Sequence, residues 1–412
     1  MRDSVLKYVD FVDLNYEPLE TDLICTFQVE PEGLSLKEAA GAVAAESSVG
    51  TWTELTTVKP YVEKLAAHVF CIEGNIAKIA YPMELFEAGN MPNILSSVAG
   101  NVFGLKALRN LRLLDIQFPT KIVEGFRGPQ FGIEGIRTLL KVSERPLIGT
   151  IIKPKLGLKT ADHAKVAFEA WVGGCDIVKD DENLSSQAFN PFEERVSKTL
   201  QMRDKAEKET GERKVYMVNV TAETESMLKR AESVTEHGGE YVMVDILTCG
   251  FSALQTLRDQ NLKLVIHAHR AGHAAFTKNP NHGISMHTIA KVVRLIGVDQ
   301  LHVGTIVGKM SETKQEVLDN IEACKMKING LRRVMPVASG GLHPRFVPAL
   351  MQTFGKDFII QAGGGIHGHK RGSFAGATAM RQAVNATLEG KTLEEYARTH
   401  KELSVALQLW KG

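Results

Sequence analysis

What this chain of 412 residues has little of narrows it first. Cysteine is scarce: Cys25, Cys71, Cys175, Cys249 and Cys324 are scattered and never fall into CxxC spacing. That argues against a disulfide framework and a thiolate zinc site, and for free thiols in a reducing cytoplasm. Net charge is nearly absent, +1 from 49 basic and 48 acidic residues, so neither a nucleic-acid tract nor a membrane-surface stripe is expected. No apolar run approaches membrane-spanning length. The opening stretch "MRDSVLKYVDFVDLNYEP" is broken by charges every few residues and does not read as a signal peptide. Low-complexity linkers and tandem repeats are missing too.

What is present divides in two. In residues 1–125, "DLICTFQVE" reads as a strand, and "SLKEAAGAVAAES" as a helix opened by a Ser35/Glu38 capping box. "HVFCIEG" and "IAKIAYP" read as a hairpin around Gly74, "MPNILSSVAGNVFG" as a helix and "LRLLDIQFP" as a closing strand. The order strand-helix-strand-strand-helix-strand predicts a small ferredoxin-like α+β domain. In residues 126–412 eight β-rich runs alternate with helical stretches: "PLIGTIIKP", "CDIVKDD", "VYMVNVTA", "YVMVDIL", "KLVIHAHR", "DQLHVGT", "VMPVASGG" and "FIIQAGGG". Near-continuous apolar strands in that rhythm predict an α/β fold, a (β/α)8 TIM barrel followed by amphipathic helices.

Barrel chemistry collects where the strands end, and here nearly every strand ends in reactive or phosphate-friendly residues. In order these are Lys153 and Lys155; Lys179, Asp181 and Glu182; Asn219; Asp245; His267, His269 and Arg270; His302, then "GTIVGK" to Lys309; Ser339, Gly340 and Gly341; and Gly363, Gly364 and Gly365. Taken singly each has a bland explanation: a solvated charge run, a hydrogen-bonded histidine, a glycine turn, a helix cap at Asp245. Independent surface charge does not fall at the same topological position of almost every strand. The glycine pairs expose backbone N–H groups as a phosphate cradle, and Arg270 with His302 suits a second phosphate. Two such sites suggest a bisphosphorylated, sugar-sized substrate. Asp181 and Glu182 supply hard oxygens suited to Mg2+. A lysine ammonium has no acceptor, so Lys179 joins them as a ligand only if neutral or converted to a carboxylate-like group by an electrophile such as CO2.

These residues resemble the large subunit of ribulose-1,5-bisphosphate carboxylase/oxygenase (RuBisCO), most closely the archaeal form III group, over practically the whole chain. The motifs are "AAESSVGTWTEL", "AGNVFG", "GTIIKPKLGL", "GGCDIVKDDENL", "HAHRAGHAA", "LHVGTIVGK", "PVASGG" and "QAGGGIHGH". The resemblance implies a lyase that fixes CO2 on ribulose 1,5-bisphosphate and also reacts with O2. It implies a carbamate on Lys179 that binds Mg2+ with Asp181 and Glu182 and removes the proton at the third carbon. Lys153 handles protons at the second carbon with support from Lys155, His269 assists at hydroxyls and hydration, and Lys309 steadies the new carboxylate. Arg270 and His302 bind one phosphate; Thr51, Trp52, Gly340, Gly341, Gly363 and Gly364 surround the other; Ser339 binds a hydroxyl. Glu46, Thr51, Trp52 and Asn101 come from a second subunit in that family, Glu46 pairing with the loop lysine and Asn101 helping hold metal and substrate. A homodimer or an assembly of dimers is therefore expected, with no small subunit implied. Without the resemblance these four read as a helix end and a buried tryptophan.

Two departures stand out. Ser311 and Glu312 replace the glutamate and glycines usual after the loop lysine, and the C-terminus is short, without the tail that latches the loop in plant enzymes. The competing readings are a RuBisCO-like enolase or isomerase of methylthio-sugar phosphates and a silent sugar-phosphate-binding protein. Both are expected to lose one of Lys153, Lys155, Lys309 or the metal ligands, and none is missing.

Overall fold

The computed structural model describes residues 7–53, 56–308, 312–328 and 330–410. The chain forms two compact units, Met1–Arg127 with Gly272–Ile296 and Ile328–Gly330, and Gly128–Ala271 with Gly297–Lys327 and Leu331–Gly412. None of the described helices is long and apolar enough to cross a membrane.

In the first unit, strands Leu23–Pro31, His68–Glu73, Ile76–Tyr81 and Leu108–Gln117 pair antiparallel, with Leu23–Pro31 flanked by the third and fourth. Helices Leu36–Glu46 and Met91–Val98 complete the ferredoxin-like order. The Ser35/Glu38 capping box forms, the Ser35 N–H donating to Glu38 Oε2 at 2.9 Å and the Glu38 N–H to Ser35 Oγ at 3.3 Å. Gly74, at φ 59°, lies between the two hairpin strands, in the left-handed region where a Cβ is penalised. A helix over the whole of "MPNILSSVAGNVFG" does not form: it stops at Val98, and a 3-10 turn at Asn101–Gly104 follows. The segment Gly272–Ile296, expected with the barrel, groups with this first unit. Its short strand Gly283–Ile284 pairs parallel with Leu108–Gln117, and the Ser285 N–H donates to the Leu113 carbonyl at 2.9 Å.

The second unit is a closed barrel of eight parallel strands: Leu147–Ile151, Ile177–Lys179, Val215–Asn219, Tyr241–Asp245, Val265–His269, Gln300–His302, Met335–Ser339 and Ile359–Gln361. Side chains alternate across each strand, so one parity faces inward. At the beginnings of the strands that parity is apolar: Leu147, Ile177, Val215, Tyr241, Val265, Met335 and Ile359 form one buried cluster with Ile133, Ile136 and Leu140 of helix Gly132–Leu140. Two or four residues on, the same parity has become Lys179, Asn219, Asp245, His267, His269, Ser339 and Gln361. Gly149 makes room for Gln361, since a Cβ there would lie 2.1 Å from its Oε1. The tail folds as two helices, Leu393–Ala397 and Lys401–Leu409.

Asp176 ties the first two barrel strands together at their starts. It is fully buried and accepts hydrogen bonds from both Arg145 Nη atoms at 2.6 and 2.7 Å, from the Ile148 N–H at 2.8 Å and from Arg381 Nη2 at 3.1 Å. Burial opposes its charge, but Arg145, Arg381 and Lys214 outweigh burial and hold its pKa below the ordinary carboxylate value. A carboxyl with a depressed folded pKa stabilises the fold at neutral pH and loses that contribution as pH falls through the folded value. Asp176→Ala is expected to cost about 3–5 kcal/mol, the range for removing one partner of a buried ion pair. Urea denaturation near pH 7 checks this, and the gap between variant and wild type should shrink in strong acid.

Candidate active site

The second barrel strand ends with Lys179, whose side chain is 0% exposed. Its Nζ donates to the Asp180 carbonyl at 2.7 Å, sits 2.9 Å from Met243 Sδ and lies 3.8 Å from Glu182 Oε2. Burial penalises the ammonium and pushes its pKa below the ordinary lysine value, against the pull of Glu182, Asp181, Asp245 and Asp180. The amine is therefore more readily neutral, and hence nucleophilic, than one on the surface.

The three acids that follow separate by parity. Asp180 points into a buried polar network away from Lys179 Nζ. Tyr216 donates its hydroxyl to Asp180 Oδ1 at 2.6 Å, the Asn219 N–H donates to Oδ2 at 3.0 Å, and Arg195 Nε and His163 Nε2 stand 3.3 and 3.1 Å away. Burial opposes its ionisation, yet Arg195 and His163 bring its pKa down to about 2. Asp181 is buried and accepts from Lys153 Nζ at 2.6 Å and from the Asn183 N–H at 3.2 Å. Glu182 is partly exposed; burial raises its pKa, and the charges of Lys179, His269 and Lys153 more than reverse this. Asn219 fixes the loop, its Nδ2 reaching the carbonyls of Asp181, Glu182 and Leu184 at 3.3, 3.0 and 2.9 Å.

Asp245 does not cap the helix Ile246–Cys249 with its side chain. It accepts instead from His269 Nδ1 at 2.5 Å, and His269 Nε2 faces Glu182 Oε2 at 3.7 Å. Because an ionised carboxylate only accepts, Asp245 assigns the proton to Nδ1 and leaves Nε2 of a neutral ring as the basic nitrogen. Beside it, His302 Nδ1 lies 2.7 Å from Ser339 Oγ, with ring centroids 4.8 Å from His269 and 4.7 Å from His267. Burial, then the neighbouring His267, His269, Lys179 and Arg270, keep His302 neutral, well below the usual histidine pKa. Its Nε2 and Arg270 Nη1 are buried with no hydrogen-bond partner among the described residues. Orphaned polar atoms of this kind suit an anion that would satisfy them. Arg270 Nη2 bonds to Glu312 Oε1.

Gly340 and Gly341 have φ 120° and 76°, so both require glycine. Gly363 has little room for more, since a Cβ would stand 3.1 Å from Lys153 Cε, whereas one on Gly364 would meet nothing within 4 Å. Lys155 Nζ reaches Asn183 Oδ1 at 3.3 Å.

The barrel thus brings Lys153, Lys179, Asp181, Glu182 and His269 into one set of contacts, with His302 and Ser339 packed against His269. Lys309 lies outside the described residues. Glu46, Thr51, Trp52 and Asn101 belong to the first unit. Glu46 Oε1 accepts from the Tyr8 hydroxyl at 3.1 Å. Trp52 is 81% exposed, so it is not the buried core tryptophan of the bland explanation. Sequence reasoning missed Met243 beside the amine, the Arg195–His163–Tyr216 support of Asp180 and the Glu312 pairing. Met243 was findable, since it shares inward parity with Asp245; the others depend on long-range packing.

As for a metal, the donor set fits Mg2+. Asp181 and Glu182 are hard oxygen donors beside the buried amine, and Asp181 is already matched to a cation, Lys153. The described residues hold no group of three or more His, Cys, Asp or Glu side chains placed to bind a metal.

Comparison with known proteins identifies the family. Residues 132–410 match the family model "Ribulose bisphosphate carboxylase large chain, catalytic domain", and residues 10–122 match that of its N-terminal domain. The chain is similar to the ribulose bisphosphate carboxylase of Methanocaldococcus jannaschii, at 51% identity over 98% of this chain and 100% of that protein. Among solved structures it is similar to octameric Rubisco from Pyrococcus horikoshii, in complex with a sulfate ion, at TM-score 0.96 and 50% identity, covering 99% of each chain. It is also similar to a dimeric archaeal Rubisco from Hyperthermus butylicus, at TM-score 0.91 and 45% identity, covering 98% of this chain and 99% of that one. With both domain models matched in order and relatives this similar along nearly their whole length, the chain belongs to the RuBisCO large-chain family.

Proposed function

We propose that this protein is a ribulose-1,5-bisphosphate carboxylase, a carbon–carbon lyase that also reacts with O2. The observation that carries the reading is the buried Lys179 amine in contact with Glu182, beside Asp181 and its Lys153 partner. CO2 adds to the neutral amine, forming an N–C bond and releasing one proton, and the resulting carbamate is the third anionic donor beside Asp181 and Glu182. When bound, Mg2+ supplies charge that favours loss of a proton next to the substrate carbonyl.

The chain's own residues then divide the work as the family resemblance implies. Carbamylated Lys179 takes the proton from the third carbon. Lys153, supported by Lys155, moves protons at the second carbon and finally protonates the product carbanion. His269, oriented by Asp245, serves the substrate hydroxyls and the hydration step that precedes cleavage to two 3-phosphoglycerates. Lys309 balances the carboxylate formed from the added CO2. Arg270 and His302 take one phosphate, Gly340, Gly341, Gly363 and Gly364 the other, and Ser339 a hydroxyl. Thr51 and Trp52, with Glu46 and Asn101, reach a neighbouring subunit's barrel, so the working unit is at least a dimer, and no small subunit is implied. The exposure of Trp52 and the dimeric and octameric relatives support that assembly. The sparse, unpaired cysteines fit a cytoplasmic site of action.

An enolase or isomerase of methylthio-sugar phosphates is the competing activity, and retention of Lys153, Lys155 and Lys309 weighs against it. Protein preincubated with Mg2+ and bicarbonate is expected to convert radiolabelled CO2 and ribulose bisphosphate into labelled 3-phosphoglycerate; fully activated protein that makes none rejects the carboxylase reading. Lys179→Ala is expected to lose both CO2-dependent activation and turnover, and an active variant contradicts the carbamate. Because burial lowers the Lys179 pKa, the neutral amine accumulates as pH rises through a value below that of an exposed lysine. Activation at fixed dissolved CO2, assayed afterwards at one pH, should climb with pH and level off below the ordinary lysine range.

A further inference from the structure

The Arg270 guanidinium is buried, and its two Nη atoms are in unlike situations. Nη2 bonds to Glu312 Oε1, while Nη1 has no hydrogen-bond partner among the described residues. Glu312 is held in place by local structure. It directly precedes Thr313, the N-cap of helix Lys314–Lys325, where a capping box forms: the Thr313 N–H donates to Glu316 Oε2 at 2.8 Å and the Glu316 N–H to Thr313 Oγ1 at 3.2 Å. The helix is tied to the end of the sixth barrel strand by Asn320 Nδ2, which donates to the Val303 carbonyl at 3.1 Å. Gly304, at φ 90°, lets the pair form, because a Cβ there would stand 3.1 Å from Arg270 Nη2 and 3.3 Å from the Glu312 carboxyl carbon. Capping, tether and glycine thus deliver one carboxylate to one guanidinium.

A buried arginine with one fork filled and the other open is half of a bidentate anion site. We propose that Glu312 is an internal competitor at this site: its carboxylate occupies Arg270 in the ligand-free protein and must yield before Arg270 grips a phosphate monoester. The inference rests on the reading of Arg270 as a phosphate ligand given above. Glu312 thereby sets a threshold. A singly charged anion gains little by displacing a carboxylate already in position, whereas a phosphate dianion brings more charge and can fill both forks. Specificity of this kind comes from a repulsive element as much as from an attractive one.

The test uses the full-length assembled protein, inorganic phosphate as probe and isothermal titration without Mg2+, so that no turnover is involved. Glu312→Gln keeps an acceptor for Arg270 and removes the charge; Glu312→Ala removes both. Each is expected to bind phosphate about tenfold more tightly than wild type, as when a site nine-tenths occupied by its own competitor is released. The gain should vanish when Arg270→Ala is added, because the two residues act on one site. Unchanged or weaker binding in both Glu312 variants, or a gain that survives Arg270→Ala, overturns the competitor role. Loss of phosphate binding in Arg270→Ala alone keeps the phosphate-ligand reading standing even then, whereas binding indifferent to Arg270→Ala overturns both.

Discussion

A lysine amine with no access to water, set among carboxylates at the end of a barrel strand, governs the electrostatics of this site. Desolvation penalises the ammonium form of Lys179, and the surrounding acids favour it; the balance falls below the ordinary lysine pKa. Each neighbouring carboxylate is then provided for separately. Asp180 is matched by Arg195, His163 and Tyr216, Asp181 by Lys153, and Asp245 by His269. Glu182, the most exposed of them, is left shared between Lys179 and His269.

The barrel makes this arrangement available at low cost. Inward parity is apolar where the strands begin and polar where they end, so a single alternation builds both core and site. Supporting side chains act on backbone as much as on charge. Asn219 holds the carbonyls of Asp181, Glu182 and Leu184 in the acidic loop, and Asp176 joins two strands beneath it. Both act on the backbone, holding the acidic loop and the strand starts in place.

His302 and Arg270 are each fixed by what surrounds them. His302 is kept neutral by burial and by the groups packed around it, and Arg270 is engaged by Glu312 within the same unit. Glu312, one of the residues that depart from the usual loop sequence, becomes a contact once Thr313 caps its helix and Glu312 meets Arg270.

Much was legible without coordinates. The eight apolar runs, the hairpin at Gly74, the Ser35 capping box and the concentration of lysines, acids and histidines at strand ends follow from local periodicity, and local periodicity survives in any fold that buries one face. Other features were decided only by packing: that Gly272–Ile296 joins the first unit through a strand pairing, that Asp245 holds His269 rather than capping a helix, and that Trp52 is exposed. Sequence by itself determined which chemical groups reach the barrel mouth, because strand period and strand length are short-range properties. Tertiary structure alone decided which of those groups pair and how far each is removed from water, because burial and charge are summed over residues distant in the chain.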